Sequence, residues 1–416
     1  MTINRIMGIM LCLCAFTLGK GQPLTLGEVR AAFTKNNLWL LAQKEQISIQ
    51  EALVLQSRLW ESPVASAQQI LYNPGANAWL GTRSVEQYTV SVEQLLYIGR
   101  QRNKSIELAK EGSKGATYQF YLLLKELDTE LSQTFVDLYY TERKIELYQS
   151  SDSSIRQVIG RMEMNSGAIA ASELFRLKSF VAGIQSIVTE LTGQKQELKS
   201  KLRLLTGLDS IPSPYLDESI IGAIDWTLQN TDNLCSTAEK NRMEMQINQN
   251  SIEQAQTSLE LEKSRRWGLP TVGATYDHRA GVIPNYWGLT LSVPLTLWNS
   301  NKGNIRAANA RIKQAELEMS QWQFSLQEEV KTTLSKAQNT QQLYRQYAAL
   351  FTDETDGLLN RLLGNYTQRN IGLVEFLDHY QSLQETEIQF LDIKCNFLKQ
   401  SIELNRVVGT PLFSFE

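Results

Sequence analysis

Two long stretches without proline constrain this chain more than any other feature. No proline occurs from Arg100 to Asn165, and none from Lys302 to Arg369. At ~1.5 Å per residue, an unbroken helix over the first stretch would reach on the order of 100 Å, far beyond the three-turn mean of globular domains. Apolar residues inside the helical regions recur at 3-4 spacing. One seam runs Ile305, Ala308, Ile312, Ala315, Met319, Trp322 and Leu326. Another runs Leu174, Leu177, Val181, Ile184, Val188 and Leu191, and continues through Leu198, Leu202 and Leu205. Leu383, Thr386, Phe390, Ile393 and Phe397 carry the same rhythm. A sustained 3.5-residue period specifies coiled-coil packing, so long helical hairpins are expected.

The chain also repeats itself at a spacing near 200 residues. Lys35-Asn36 answers to Lys240-Asn241, and Ser57-Arg58-Leu59-Trp60 to Ser264-Arg265-Arg266-Trp267. Val90-Ser91-Val92 answers to Leu291-Ser292-Val293, Leu96-Tyr97 to Leu297-Trp298, and Asn103 to Asn304. Each half reads as helix, two strands, very long helix, turn, long helix. This is a duplicated unit rather than a short-period solenoid. The first repeat is read as 22–207 and the second as 236–416. A connector over 208–235, with Pro212 and Pro214, breaks the helical pattern.

The strand candidates alternate with period two, which gives each one apolar and one polar face. Tyr88, Val90 and Val92 alternate with Thr89, Ser91 and Glu93, and Val272, Ala274 and Tyr276 with Thr271, Gly273 and Thr275. Leu289 through Leu297 alternates over about ten residues, with a loop at Gly281 to Asn285 before it. The fourth, Pro63 to Tyr72, is poorly patterned. Aromatics stand near the strand ends: Tyr72, Trp79, Tyr97, Trp267, Trp287 and Trp298. Transmembrane strands need ~9–11 residues of this kind with aromatic rims. Four strands cannot close a membrane barrel, because closure takes at least ~8 strands and an open edge cannot face lipid. If these strands span a membrane, several chains share one barrel. Otherwise the pattern describes a soluble hairpin with one buried face.

At the start of the chain, Arg5 precedes the apolar run Ile6 to Leu18, with Gly19 and Gly21 behind it. Residues 1–21 therefore read as a cleaved secretory signal, too short to span a membrane. Leu13 precedes Cys14 where a lipobox wants a small residue, so acylation is not expected. No later segment has ~18 consecutive apolar residues.

Composition then removes whole classes of function. With 41 Lys+Arg against 44 Asp+Glu the net charge is −3, which lacks the basic surplus that nucleic acid demands. Two His and four Cys do not make the usual zinc cage, and no Gly-rich phosphate loop is present. Asp277 and His278 have no nucleophile beside them. His379, Met162 with Met164, and Met243 with Met245 read as surface or packing residues rather than metal ligands. Neither an enzyme nor a cofactor is expected.

In this setting two stretches carry a resemblance. Pro270 to Ala310 runs strand, loop, strand with Ser292-Val293-Pro294-Leu295, then a polar Asn301-Lys302-Gly303 turn into an Ala-rich helix. The turn and helix start at Asn370 to Ser382 pair with Asn165 to Leu177. Together these resemble the TolC family of bacterial outer-membrane efflux proteins, over about Leu24 to Phe413, and most closely its heavy-metal-efflux branch. The resemblance implies a mostly α fold of duplicated coiled-coil hairpins with four membrane strands per chain. It implies a homotrimer sharing a twelve-stranded barrel in outer-membrane lipid above a periplasmic helical tunnel. A periplasmic adaptor would meet the tunnel's far end and link it to an inner-membrane pump, of resistance-nodulation-division type. The resemblance places adaptor-contacting tips at Gly167 and Arg369, where the family's second turn often has glycine too. It places a periplasmic gate at Glu375 and Asp378, with Tyr366 helping to hold the closed end. Glu375 and Asp378 are three apart and share a helix face, and three chains would set six carboxylates around one axis, favouring cations. The function implied is a passive exit duct. A duct for type I protein secretion and a non-spanning periplasmic coiled-coil scaffold are the alternatives.

Overall fold

The computed structural model describes residues 24–74, 77–79, 87–164, 171–280, 283–296, 298, 300–351 and 357–414. The leader segment, with Cys12 and Cys14, lies outside the described residues, as does Gly167.

Helices dominate. The first half begins with α1 (Leu26–Asn36) and α2 (Leu38–Ser57). Thr25 and Glu28 close a capping box at the start of α1: the Glu28 amide donates to Thr25 Oγ1 at 3.4 Å, and the Thr25 amide to Glu28 Oε2 at 3.0 Å. Four strands follow, β1 (Val64–Gln69), β2 (Tyr72–Asn73), β3 (Ala78–Trp79) and β4 (Tyr88–Leu95). Then come α3 (Gln101–Met164) and α4 (Ala171–Thr206). A connector with the short α5 (Ser219–Ala223) leads to the second half: α6 (Thr231–Asn241), α7 (Met243–Ser264), β5 (Thr271–Ala280), β6 (Ile283–Ser292), α8 (Lys302–Ala348), α9 (Leu358–Thr367) and α10 (Leu373–Val408).

Several details differ from the sequence reading. The leading helix of each half is broken in two, at Asn37 and at Arg242, both extended in backbone. The chain from Lys302 to Arg369 is not one helix, since α8 ends at Ala348 and α9 starts after Gly357, whose φ is 76°. The intervening Thr352-Asp353-Glu354-Thr355-Asp356-Gly357 is rich in residues that compete with helical hydrogen bonding or cost backbone entropy. Strand β6 stops at Ser292 instead of running to Leu297, because Pro294 has no amide to give a ladder. It also starts at Ile283, inside the expected loop. The small β2–β3 ladder, Tyr72 opposite Trp79, was not expected.

The main sheet is antiparallel in the order β1-β4-β5-β6. Through the middle of the sheet its register sorts side chains onto an apolar and a polar face, although Gln94 falls on the first and Val64 and Leu95 on the second. Val92 lies opposite Ala65 and Ala274, and Ala274 opposite Leu289; Val90 lies opposite Ala67 and Tyr276, and Tyr276 opposite Trp287. On the other face Ser91 lies opposite Ser66 and Thr275, and Thr89 opposite Gln68 and Asp277. Ser66 and Ser91 join their hydroxyls at 2.8 Å, and Thr89 Oγ1 donates to Asp277 Oδ2 at 3.2 Å. The apolar face is bare: Leu289 is 93% exposed, and Val90, Val92, Trp287 and Leu291 are exposed as well.

The apolar core lies in the helical part and its connector, in three clusters. One joins α1, α3 and α4 around Phe33, Leu131, Phe135 and Leu202. A second joins α3, α5, α6, α8 and α10 around Tyr140, Trp226, Val330 and Phe397. The third lies where α3 ends and α4 and α10 begin. Trp226 fastens the connector: its indole donates to Ser401 Oγ at 3.0 Å and its amide to Gln341 Oε1 at 2.9 Å. Gln341 returns a bond to the Ile224 carbonyl at 2.7 Å. Among the described residues, no helix is long and apolar enough to cross a membrane. Cys235 and Cys395 are both free; burial, and then the nearby Asp137 carboxylate, push the Cys395 thiol up to about 12.

The two helix breaks are stabilised differently. Buried Asn37 caps α2 through the Leu40 amide at 3.0 Å and donates to the Leu205 carbonyl at 2.8 Å. Arg242, also buried, instead pairs with Glu244 and Glu329, and Glu329 is shared with Arg406. Burial pushes the Glu244 carboxyl up, but the Arg242 guanidinium and the residue's own amide hold it below its ordinary 4.5. Its contribution to stability is therefore complete above that value and lost as pH falls through the lower folded one. Arg242→Met should cost about 3 kcal/mol, the scale for stranding a buried partner. Melting at a fixed scan rate should show this drop at pH 7 and a progressively smaller one as the pH is lowered through the carboxylate range; a drop that does not change with pH would refute the clamp.

Candidate functional site

The helical end far from the sheet gathers the residues that the sequence singled out. Its geometry begins with the end of α9. The Arg369 amide donates to the Tyr366 carbonyl at 3.0 Å, and the Asn370 amide to the Asn365 carbonyl at 2.9 Å. This is a Schellman closure with Arg369 at the position that must turn left-handed, and its φ is 62°. Glycine takes that conformation freely; an L side chain is strained there by roughly 1–2 kcal/mol. Gly372 is extended and opens α10.

The first turns of α10 have two distinct faces. Leu373, Phe376 and Tyr380 are buried against Ile155 and Val158 of α3 and Leu177 and Val181 of α4. Tyr366 stacks on Phe376 with ring centres 4.7 Å apart and planes 13° apart, and Phe376 meets Tyr380 at 5.5 Å. The Tyr366 hydroxyl donates to Met162 Sδ at 3.6 Å, so Met162 serves packing at this point. Burial, and then Glu173, raise the Tyr366 phenol above its ordinary value. Burial likewise raises Tyr380, with hydroxyls of Ser151 and Ser154 opposing.

The other face carries Glu375 and Asp378, both exposed, with His379 beside them. The fold thus brings Tyr366 into the aromatic stack and leaves the two carboxylates outside it. Neither carboxylate has an ion pair among the described residues. A cleft of about 620 Å³ lies between the helix ends, lined by Arg161, Glu173, Tyr366, Arg369 and Ile371. Lys178 bridges to Glu163 at 2.8 Å across α4 and α3.

Three residues of this end escaped the sequence reading. Phe376 anchors the stack, and its i+3 spacing from Leu373 was the available signal. Phe175 and Val374 are 71% and 64% exposed at the starts of α4 and α10; both are apolar residues off the helical seam, which was their signal. Among the described residues no group of three His, Cys, Asp or Glu is placed to hold a metal ion.

With this geometry in place, the comparisons become informative. No protein-family model matches the chain, and no curated protein matches it. Solved structures do. The chain matches CusC with a TM-score of 0.75 over 92% of both chains, at 13% identity. It matches the Campylobacter jejuni CmeC outer membrane channel at 0.73 and 14% identity, over 94% of this chain and 87% of that one. The Vibrio cholerae outer membrane protein VceC gives 0.72 and 14%, over 94% and 97%. The fold is therefore that of the outer-membrane channel proteins. In particular it is the TolC-like fold: mostly helical, with a small four-stranded antiparallel sheet.

The strained turn has a measurable consequence. Arg369→Gly should stabilise the α9 terminus by about 1 kcal/mol, the scale of the strain it removes. Hydrogen exchange at the Asn370 amide should slow about fivefold at that energy. Exchange that is unchanged or faster would show that the Arg369 side chain compensates for its backbone.

Proposed function

We propose that this chain is one protomer of an outer-membrane exit duct, in which several copies close a shared barrel and their helices continue it as a tunnel. The observation that carries this reading is the sheet. Among the described residues it has a largely apolar and a largely polar face, neither covered by a helix, and two edges, β1 and β6, without a neighbouring strand. Such a sheet is unfavourable in water, because it exposes a broad apolar patch and open edges. In a bilayer it is favourable only if the edges pair. Strands β5 and β6 are ten residues long; at ~3.3 Å per residue and a tilt near 45° they cover roughly the height of an outer-membrane apolar band. The solved channels that share the fold support the same reading.

A homotrimer, with twelve strands in all, meets the minimum for closure. In this reading the tips at Arg369 and Gly167 meet a periplasmic adaptor, and Phe175 and Val374, exposed at the starts of α4 and α10, add apolar contact. An inner-membrane pump supplies energy that this chain does not. Glu375 and Asp378 turn their exposed face to the axis, and the Tyr366 stack holds α9 against α10 behind them. The duct is passive and makes or breaks no covalent bond.

Planar-bilayer recording of the purified protein tests this reading. Wild type should give small, cation-preferring openings, and Glu375→Ala with Asp378→Ala should widen them and reduce the preference several-fold. Openings indifferent to the double substitution would keep the duct and discard the gate. A protein that never inserts would favour the periplasmic scaffold.

A further inference from the structure

The level at which the sheet joins the helices has a composition unlike the rest of the chain. The four junction segments, 57–61, 99–107, 260–267 and 300–306, hold nine Lys and Arg against four Glu, in a chain whose net charge is −3. They are knit together in space. Gln101 Nε2 donates to the carbonyls of Ser264 and Trp267 at 3.1 and 2.8 Å. Asn301 Nδ2 donates to the Glu262 carbonyl at 2.8 Å, and Arg102 donates to the Arg58 carbonyl. Thr296 Oγ1 donates to the Arg266 carbonyl at 3.0 Å. Gly268 lets the chain pass Pro294, where a Cβ would come within 2.3 Å of the proline ring.

The carboxylates at this level are already engaged. Glu107 and Glu260 pair with Lys104, Glu262 pairs with Arg265, and Glu61 accepts from the Tyr97 hydroxyl. That leaves Arg58, Arg100, Lys263, Arg266, Lys302 and Arg306 exposed and without an ion pair among the described residues. Exposed tryptophans lie among them. Trp60 carries the Arg102 guanidinium over its ring at 5.0 Å, and Trp267 and Trp298 are more exposed still.

Indole rings beside unpaired cations, bordering a bare apolar sheet face, match the chemistry of a bilayer interface: apolar tails on one side, phosphate on the other. The far end of the sheet shows no such surplus among its described residues, where Asp277 and His278 stand with Arg279. We propose that this collar is a binding surface for anionic phospholipid headgroups of the leaflet on the helical side. The inference rests on the reading of the sheet as membrane-spanning and adds to it a lipid selectivity fixed at one level. Phosphate oxygens accept from the free guanidinium and ammonium groups while the indoles sit at the glycerol level. The collar thereby sets the depth at which the barrel stops and the tunnel begins.

Tryptophan quenching by brominated lipids tests this on the full-length protein. Vesicles would mix phosphatidylcholine and phosphatidylglycerol, with one or the other brominated. Each Lys or Arg near an anionic surface is worth about fivefold in affinity, so phosphatidylglycerol should compete at least fivefold better than phosphatidylcholine. Half-molar salt should bring the ratio toward one. In the triple variant Arg58→Gln, Arg100→Asn, Arg266→Gln the ratio should fall by at least fivefold, with quenching by brominated phosphatidylcholine retained. A wild-type ratio of one, a ratio insensitive to salt, or a ratio unchanged in an inserted triple variant would overturn the collar while leaving the duct standing. If the triple variant does not insert, the salt titration of the wild type decides. No quenching of wild type by either lipid would instead overturn the membrane-spanning reading itself.

Discussion

Everything else in this chain depends on a sheet that cannot be satisfied alone. Among the described residues, β1 and β6 have no strand on their outer sides, and no helix forms a second layer over either face. An ordinary soluble domain would cover such a sheet with a helix or close it on itself. Here the helices leave the sheet at its end and run away from it. Among the described residues they do not cover it, and on the proposed exit-duct reading the partners are lipid and neighbouring copies of the chain. Lipid can cover the face of Val90, Val92, Leu289 and Leu291, and water the face of Ser66, Ser91 and Thr275. Only another strand can meet the edges.

The helical part solves the opposite problem. Long helices bury little per residue unless their seams are continuous, and isolated hairpins tens of residues long would splay. Three apolar clusters pin them at separate levels. The middle level is the most elaborate, because the connector enters there and Trp226 bonds to both α8 and α10. The leading helices of the two halves are broken at matching places, yet the breaks differ in chemistry. A neutral asparagine secures one break by capping α2 through the Leu40 amide and donating to a carbonyl of α4, and a buried arginine with shared carboxylates secures the other. The neutral solution leaves nothing to titrate at the first break, while the charged one ties the second break to the Glu244 carboxyl, held below its ordinary value.

Much of this architecture was legible in the sequence because periodicity is a local signal. The unbroken α3 follows from a proline-free stretch with regular apolar spacing, and strands β4 and β5 from strict alternation. What was missed depends on contacts from elsewhere. The split at Asn37 is fixed by the Leu205 carbonyl, some 170 residues away in sequence. The interruption between α8 and α9 has a composition signal in its Thr and Asp run, but absence of proline outweighed it in the reading. Strand β1, with its weak Ala and Gln pattern, exists because β4 offers it a ladder. At the tip, Glu375, Asp378, Tyr366 and Arg369 came from likeness to a family rather than from physics, since nothing in a single sequence distinguishes an axial carboxylate from a solvated one. The stack of Tyr366 on Phe376 could be seen only once α9 was folded back along α10.

The two hairpins are therefore alike in plan and unlike in mechanical character. The first is built on a helix continuous from Gln101 to Met164. The second is interrupted after Ala348, resumes for ten residues in α9, and turns through an arginine held left-handed. Local opening costs least where helices are short, seams are broken and backbone strain is stored. All three conditions coincide in the second hairpin, near the end that carries Glu375 and Asp378. Opposing them is the aromatic stack of Tyr366, Phe376 and Tyr380, which buries two rings of α10 and half-buries the Tyr366 ring of α9 against them. The packing of this end is thus a balance between a strained, interrupted helix and a compact aromatic cluster. A change at either one moves the equilibrium without touching the sheet or the middle of the molecule, because the tip's apolar cluster is separate from the other two.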